Sequence, residues 1–253
     1  MSNAFESNGA SVPLPQVGLE NSANGGLLPA ARQGGRRGAA RRSRVKAKAP
    51  YDDLLWRLQS RHSAEAGPLT IGLIGCDQRV GVTTIAANLA VRASELQLGP
   101  VLLVEADVRR PRLAKAWKLD RGPGLAELLS GEAAYGECLR LGPVDDLAVM
   151  PAGRAARGDG AAWSAGDVDA LIAETCADNS LVFFDLPAAD DLRQMLMLAR
   201  RLDQVLLVVR AESDRDSELR KRVDRLMDDG VAVAGAILNR KRSYVPTWLQ
   251  RWI

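Results

Sequence analysis

Leu69-Thr70-Ile71-Gly72-Leu73-Ile74-Gly75 runs straight into Cys76-Asp77-Gln78-Arg79-Val80-Gly81-Val82-Thr83-Thr84. The apolar run behind Pro68 predicts a strand over 69–74 that is covered on both faces. Residues 83–96 place Ile85, Leu89, Val91 and Leu96 at helical spacing, which predicts a helix. The turn between them has the placement that a phosphate-binding loop needs. Successive main-chain N–H groups converge there on the positive end of a helix dipole. The usual signature ends in Gly-Lys-Ser/Thr, whereas this turn ends in Gly81-Val82-Thr83. Gly81 suits a close backbone approach to phosphate, and the Thr83 hydroxyl suits Mg²⁺. Val82 has neither the charge nor the reach of the lysine it replaces, and a lost charge-assisted hydrogen bond costs about 1.5–3 kcal/mol. No lysine lies between Lys48 and Lys115, so Arg79 is the one cation inside the loop. On these residues alone, a plain strand-to-helix turn that binds nothing explains the stretch as well.

Downstream, the pattern repeats in βα units. Strands are predicted over 101–104, 147–150, 181–184, 205–209 and 231–238, and helices over 125–129, 168–175, 191–201 and 217–227. Continuous apolar runs separated by helices indicate an α/β fold: a doubly wound, mostly parallel sheet with helices on both faces. Asp107 and Asp185 follow or end two of these runs, where open α/β sheets bind their ligands. As capping or turn carboxylates they would have no such role.

Composition narrows the function. The chain has 253 residues, 47% of them hydrophobic, enough for one sizeable domain plus tails. Cys76, Cys138 and Cys176 are scattered, and His62 is the only histidine. This argues against a disulfide framework, a zinc site or a histidine-based triad. No apolar run reaches the roughly 20 residues of a membrane span, and residues 1–15 lack the pattern of a secretory signal, so a cytoplasmic location is expected. Residues 1–49 carry eight Lys and Arg against Glu6 and Glu20, and their Gly, Ser, Asn and Ala content predicts a disordered basic tail. The domain is expected over 50–242. It opens with Tyr51-Asp52-Asp53-Leu54-Leu55-Trp56-Arg57, an amphipathic helix whose Leu54, Leu55 and Leu58 would pack on the domain.

Further motifs follow in order. Val101-Leu102-Leu103-Val104-Glu105-Ala106-Asp107-Val108-Arg109-Arg110-Pro111 resembles the A-prime motif of the bacterial tyrosine kinases of capsule and exopolysaccharide export. That motif is an apolar strand, then Asp-x-Asp-x-Arg, often followed by Arg-Pro; Glu105 in first place is a mild change. Gly122-Pro123-Gly124-Leu125, Pro151-Ala152-Gly153 and Phe183-Phe184-Asp185-Leu186-Pro187 are similar to that family's Pro-Gly-Leu, Leu-Pro-Ala-Gly and Walker B segments. Val205 to Arg210 and Gly235 to Asn239 are similar to its last two strands. The resemblance covers about 50–240. It places the chain among P-loop NTPases, in the superfamily of the ParA and MinD ATPases, whose additional loop lysine would fall at Asp77.

The resemblance implies ATP or ADP with Mg²⁺ as cofactors. Residues 79–84 (Arg79, Val80, Gly81, Val82, Thr83 and Thr84) would cradle phosphate, and Asn239 would contact adenine. Thr83, Asp107 and Asp185 would hold Mg²⁺, with Asp107 also helping to activate an attacking hydroxyl. Three departures imply weak or lost phosphotransfer: Val82, a tail with Tyr244 alone in place of a tyrosine cluster, and no Glu-x-x-Arg-x-x-Arg oligomerisation motif ahead of the first strand. The implied roles are a pseudo-ATPase in capsule or exopolysaccharide biosynthesis, an active tyrosine kinase using a substitute cation, or a ParA-like positioning ATPase. A membrane polysaccharide co-polymerase or export protein is the implied partner, and a homo-oligomer is a further option.

Residues 243–253 add an aromatic tail. Trp248, Leu249, Trp252 and Ile253 fall on one helical face after Pro246 and beside Arg240-Lys241-Arg242. With the arginine-rich N-terminus, this face suits an anionic membrane surface at the inner membrane. Without aromatic interleaving, the basic tail is a poor nucleic-acid binder.

Overall fold

The computed structural model describes residues 16–18, 48–154, 163–188, 192–211 and 216–239. The strands are β1 (Gln16–Gly18), β2 (Leu69–Gly75), β3 (Val101–Glu105), β4 (Arg140–Leu141), β5 (Leu147–Met150), β6 (Leu181–Asp185), β7 (Gln204–Arg210) and β8 (Val233–Asn239). The helices are α1 (Ala49–Ser60), α2 (Val82–Glu95), α3 (Leu113–Trp117), α4 (Leu125–Leu129), α5 (Ala165–Ala177), α6 (Leu192–Ala199) and α7 (Asp216–Asp228). Among the described residues the strands form one sheet in the order β1-β8-β7-β2-β6-β3-β5-β4. Every pairing is parallel except the short edge pair of β4 with β5. This is the doubly wound sheet that the βα alternation predicts.

Burial explains why the strands read as unbroken apolar runs. Ile71, Leu73, Leu103 and Phe183 face one cluster with α1, α2 and Trp117 of α3. Ile74, Leu102, Val104 and Phe184 face a second cluster that includes Leu125, Leu171, Leu198 and Val223 from α4 to α7. Both faces of the central strands are therefore dry, and alternation has no solvent side to mark.

The first helix packs as expected: Leu54, Leu55 and Leu58 are all buried, together with Tyr51. Asn88 Nδ2 of α2 donates to the Tyr51 hydroxyl at 3.1 Å. Arg92 reaches Asp52 with both Nε and Nη2. The charged pair holds the Asp52 carboxyl below its ordinary range and the Arg92 guanidinium above its own.

Within the stretch expected to be a disordered basic tail, Gln16–Gly18 pair in parallel with Ala236–Leu238 of β8. Residues 1–15 and 19–47 lie outside the described residues. So do residues 240–253, with Tyr244 and the Trp248, Leu249, Trp252 and Ile253 face. Among the described residues no helix is long and apolar enough to cross a membrane.

Candidate functional site

Three neighbouring strands deliver the site. β6 lies between β2 and β3, with Asp185 in register with both Leu73 and Glu105. The C-terminal ends of these strands thus meet at a point where the chain order switches, the place where open α/β sheets bind ligands. The main chain reinforces the junction. The amides of Ala106 and Asp107 both donate to the Asp185 carbonyl, at 2.9 and 3.2 Å.

A cleft of about 370 Å³ opens there. Arg79, Val80, Gly81, Val82, Thr83 and Thr84 line it on one side, with Asp107 and Asp185 opposite. All but one of the residues singled out from the sequence therefore share one cavity. Among the described residues the amides of Asp77 through Thr84 donate to no backbone carbonyl. They are available to an anion at the start of α2.

The loop is held open by its backbone. Gly81 sits at φ +102 as the N-cap of α2, a conformation that glycine adopts without Cβ strain. Arg79 also has positive φ, at 60°. Asn239, the remaining residue singled out, lies beneath the loop. It is buried and its Nδ2 donates to the Val80 carbonyl at 2.7 Å.

Val82 turns inward. It is half-buried and packs on the core cluster that contains Val80 and Ile85. A Cβ added to Gly75 would lie 3.0 Å from its Cγ2. Its methyls lie against the loop's own floor and offer phosphate neither charge nor donor.

The acids differ sharply. Asp107 is half-buried, and its Oδ1 accepts from the Arg110 amide at 3.1 Å. Asp185 is 1% exposed, and its Oδ2 has no hydrogen-bond partner. Burial pushes its carboxyl up to about 8; the nearby Thr83 hydroxyl opposes the shift, and Glu105 and Asp107 add to it. An orphaned, buried carboxylate oxygen is what a bound cation would satisfy. Among the described residues no three His, Cys, Asp or Glu converge as a metal site. Two carboxylates and a threonine hydroxyl nevertheless suit Mg²⁺, which takes few protein ligands and completes its shell with water and phosphate oxygens. The residues present fit that ion.

The first acid of the motif does different work. Glu105 is 1% exposed. Its Oε1 accepts from the amides of Arg112 and, at 2.6 Å, Leu113, and its Oε2 accepts from the Ala152 amide at 3.2 Å. It fastens the start of α3 and the end of β5 rather than facing the cleft.

Sequence reasoning missed several lining groups. Arg79 is not the only nearby cation, because Arg110 and Arg112 line the same cleft. Arg112 lies one residue beyond the Arg-Arg-Pro motif, so extending that motif would have found it. Arg222 of α7 gave no sequence signal. Its Nη1 donates to the Cys76 carbonyl and contacts Asp77 Oδ1 at 3.2 Å. The position of the additional ParA-type lysine is thus an aspartate paired with a distant arginine.

No protein-family model matches the chain. The tyrosine-protein kinase ptk of Acinetobacter johnsonii is 28% identical over 169 residues, covering 67% of this chain and 23% of that protein. The putative tyrosine-protein kinase CapB of Staphylococcus aureus is 24% identical over 63% of this chain and 70% of its own length. The tyrosine-protein kinase YwqD of Bacillus subtilis is 27% identical over 64% of this chain and 68% of its own length. In fold, the kinase domain of the Escherichia coli tyrosine kinase ETK superposes with a TM-score of 0.66 at 20% identity, over 80% of this chain and 79% of that one. The septum site-determining protein MinD of Pyrococcus horikoshii, in complex with Mg-ADP, gives 0.60 at 21% identity, over 73% and 76%.

Proposed function

We propose that this chain, which is similar to bacterial tyrosine-protein kinases, is a nucleotide-binding member of that family in which phosphotransfer is weak or lost. It would serve capsule or exopolysaccharide biosynthesis and export by occupancy rather than by turnover. One observation carries the reading. Thr83, Asp107 and Asp185 line one cleft with the loop amides, while Val82 packs inward where the lysine belongs.

The loop amides and the α2 N-terminus would bind the phosphates. Thr83, Asp107 and Asp185 would hold Mg²⁺, which when bound supplies charge neutralisation between phosphate oxygens. Asp107, the more open acid, would take a proton from an incoming hydroxyl. Phosphoryl transfer depends on positioning and charge stabilisation, and removing one transition-state donor typically costs about 10²–10³ in rate. Ground-state binding loses less. Asn239 is not among the cleft's lining residues; from beneath the loop it would brace the Val80 carbonyl.

The partner in this reading is a membrane co-polymerase or export protein, with the chain peripheral at the inner membrane. A second reading is an active kinase that uses an arginine for the missing lysine; Arg79, Arg110 and Arg112 on the cleft wall favour it.

Mg·ATP binding and phosphotyrosine formation, measured together in the wild type, Val82→Lys and Asp107→Ala, separate the two. Wild-type binding with little phosphotyrosine, raised in Val82→Lys, supports the first. Robust wild-type phosphotyrosine that disappears in Asp107→Ala overturns it in favour of the second.

A further inference from the structure

The cleft holds more positive charge than its loop. Three arginines line it, Arg79, Arg110 and Arg112, and they are not equivalent. Arg79 leaves the exposed crown of the loop from a left-handed backbone position. Arg110 sits in the turn after β3, where its amide is bound to Asp107.

Arg112 is anchored differently. Its own amide is bound to the buried Glu105 carboxylate, which also holds the next residue, Leu113, at 2.6 Å. Leu113 is fully buried in the core beside Trp117. The backbone at Arg112 is thus fixed on both the polar and the apolar side, while its side chain remains exposed and reaches the cleft. Among the described residues that guanidinium makes no hydrogen bond.

We infer that Arg112 is the cation that takes the place of the loop lysine, presenting its guanidinium from the start of α3 to the terminal phosphate of a bound polyphosphate. The inference rests on the proposed nucleotide-binding reading of this cleft and names the residue that neutralises the ligand. A guanidinium fork matches phosphate oxygens bidentately, and it enters from the β3 side of the cleft rather than from within the loop. Ground-state charge pairing is therefore kept, while a lysine's position along the transferring phosphate is not reproduced.

Inorganic tripolyphosphate with Mg²⁺, titrated into the full chain by calorimetry, is the probe. Arg112→Gln should weaken binding about tenfold or more, the scale of one lost charge-assisted contact. Arg112→Lys should retain part of the affinity. Adding Val82→Lys to Arg112→Gln should restore binding, a rescue that a merely structural role for Arg112 would not permit. Thermal unfolding of each variant shows whether the fold is kept. Wild-type affinity in a folded Arg112→Gln protein overturns the assignment, as does a larger loss in Arg79→Gln or Arg110→Gln. Absence of any tripolyphosphate or ATP binding in the wild type overturns the nucleotide reading itself. Wild-type binding that Arg112→Gln leaves untouched overturns only the assignment.

Discussion

The side-chain amide of Asn239 donates to the Val80 carbonyl at 2.7 Å, and the same Nδ2 stands 2.4 Å from where a Cβ on Gly81 would lie. β8 thus holds the loop between β2 and α2, and the glycine leaves room for that hold. Gly81→Ala meets two obstacles, a φ of +102 and an occupied Cβ position. It should lower stability by about 1–3 kcal/mol. Asn239→Ala leaves the buried Val80 carbonyl without this donor and should cost about 1–3 kcal/mol. Because one side chain is at issue in both, the double variant should lose less than the two single losses added together. Urea titration of the four proteins measures the coupling, and strict additivity would refute the shared-clamp account.

Asp185 makes the cation-free protein sensitive to pH. Its carboxyl is raised from 3.8 to about 8 by burial, so the folded state binds a proton more tightly than the unfolded chain does. The stability that this residue contributes is fully present below about pH 4 and is lost as pH rises through 8. In the presence of a chelator, the wild type should therefore become less stable from pH 5.5 to 8.5 relative to Asp185→Asn. The difference should be on the order of 2 kcal/mol. Parallel stability-against-pH curves for the two proteins across that range would contradict the burial of this acid.

Gly124 joins two motifs that the sequence presents separately. The amides of Leu125 and Ala126 donate to the carbonyls of Pro151 and Ala152, at 2.8 and 3.0 Å. The Pro-Gly-Leu and Pro-Ala-Gly segments therefore lie backbone against backbone. A Cβ on Gly124 would stand 2.2 Å from the Pro151 carbonyl oxygen and 2.6 Å from the Gly153 nitrogen. Neither is a flexible side-chain end, so Gly124→Ala should cost about 1–3 kcal/mol. Gly136→Ala is the control, since open space surrounds its Cβ position. Equal melting temperatures for the two variants would show that the clasp tolerates a methyl group.

The sheet was legible because β2, β3, β6 and β7 are buried on both faces and so appear as unbroken apolar runs. The strand tips were legible for a related reason: Asp107 and Asp185 stand where those runs end. α3 went unread, because five residues that bury only Leu113 and Trp117 carry no periodic signal. β4 went unread because two residues at a sheet edge show no alternation. The turn between β2 and α2 was legible in the sequence, and Arg79 in it does line the cleft, but Arg110 and Arg112 on the cleft wall were not singled out. Arg222 reaches the loop through a fold of the chain that neither spacing nor composition encodes, whereas Arg112 stands one residue past the Arg-Arg-Pro motif. Asn239 was seen as a strand end, yet its bond to Val80 spans 159 positions.

Glu105 looked like a mild replacement for the aspartate of the motif, and the structure gives it a specific task. Its carboxylate accepts from the amides of Arg112, Leu113 and Ala152. Burial raises its ionisation range, and those three donors oppose the rise. Glu105→Asp shortens the arm by one carbon–carbon bond, about 1.5 Å, so the carboxylate cannot reach both α3 and the end of β5 without a backbone shift. Glu105→Gln keeps the length but turns an NH₂ group toward at least one amide that needs an acceptor. Each should lose about 1–3 kcal/mol in urea titrations. Amide exchange at Arg112 and Leu113 should speed up in both variants, while exchange in β2, on the other side of β6, stays as in the wild type. Should the Arg112 and Leu113 amides keep wild-type protection in both variants, Glu105 does not hold the start of α3.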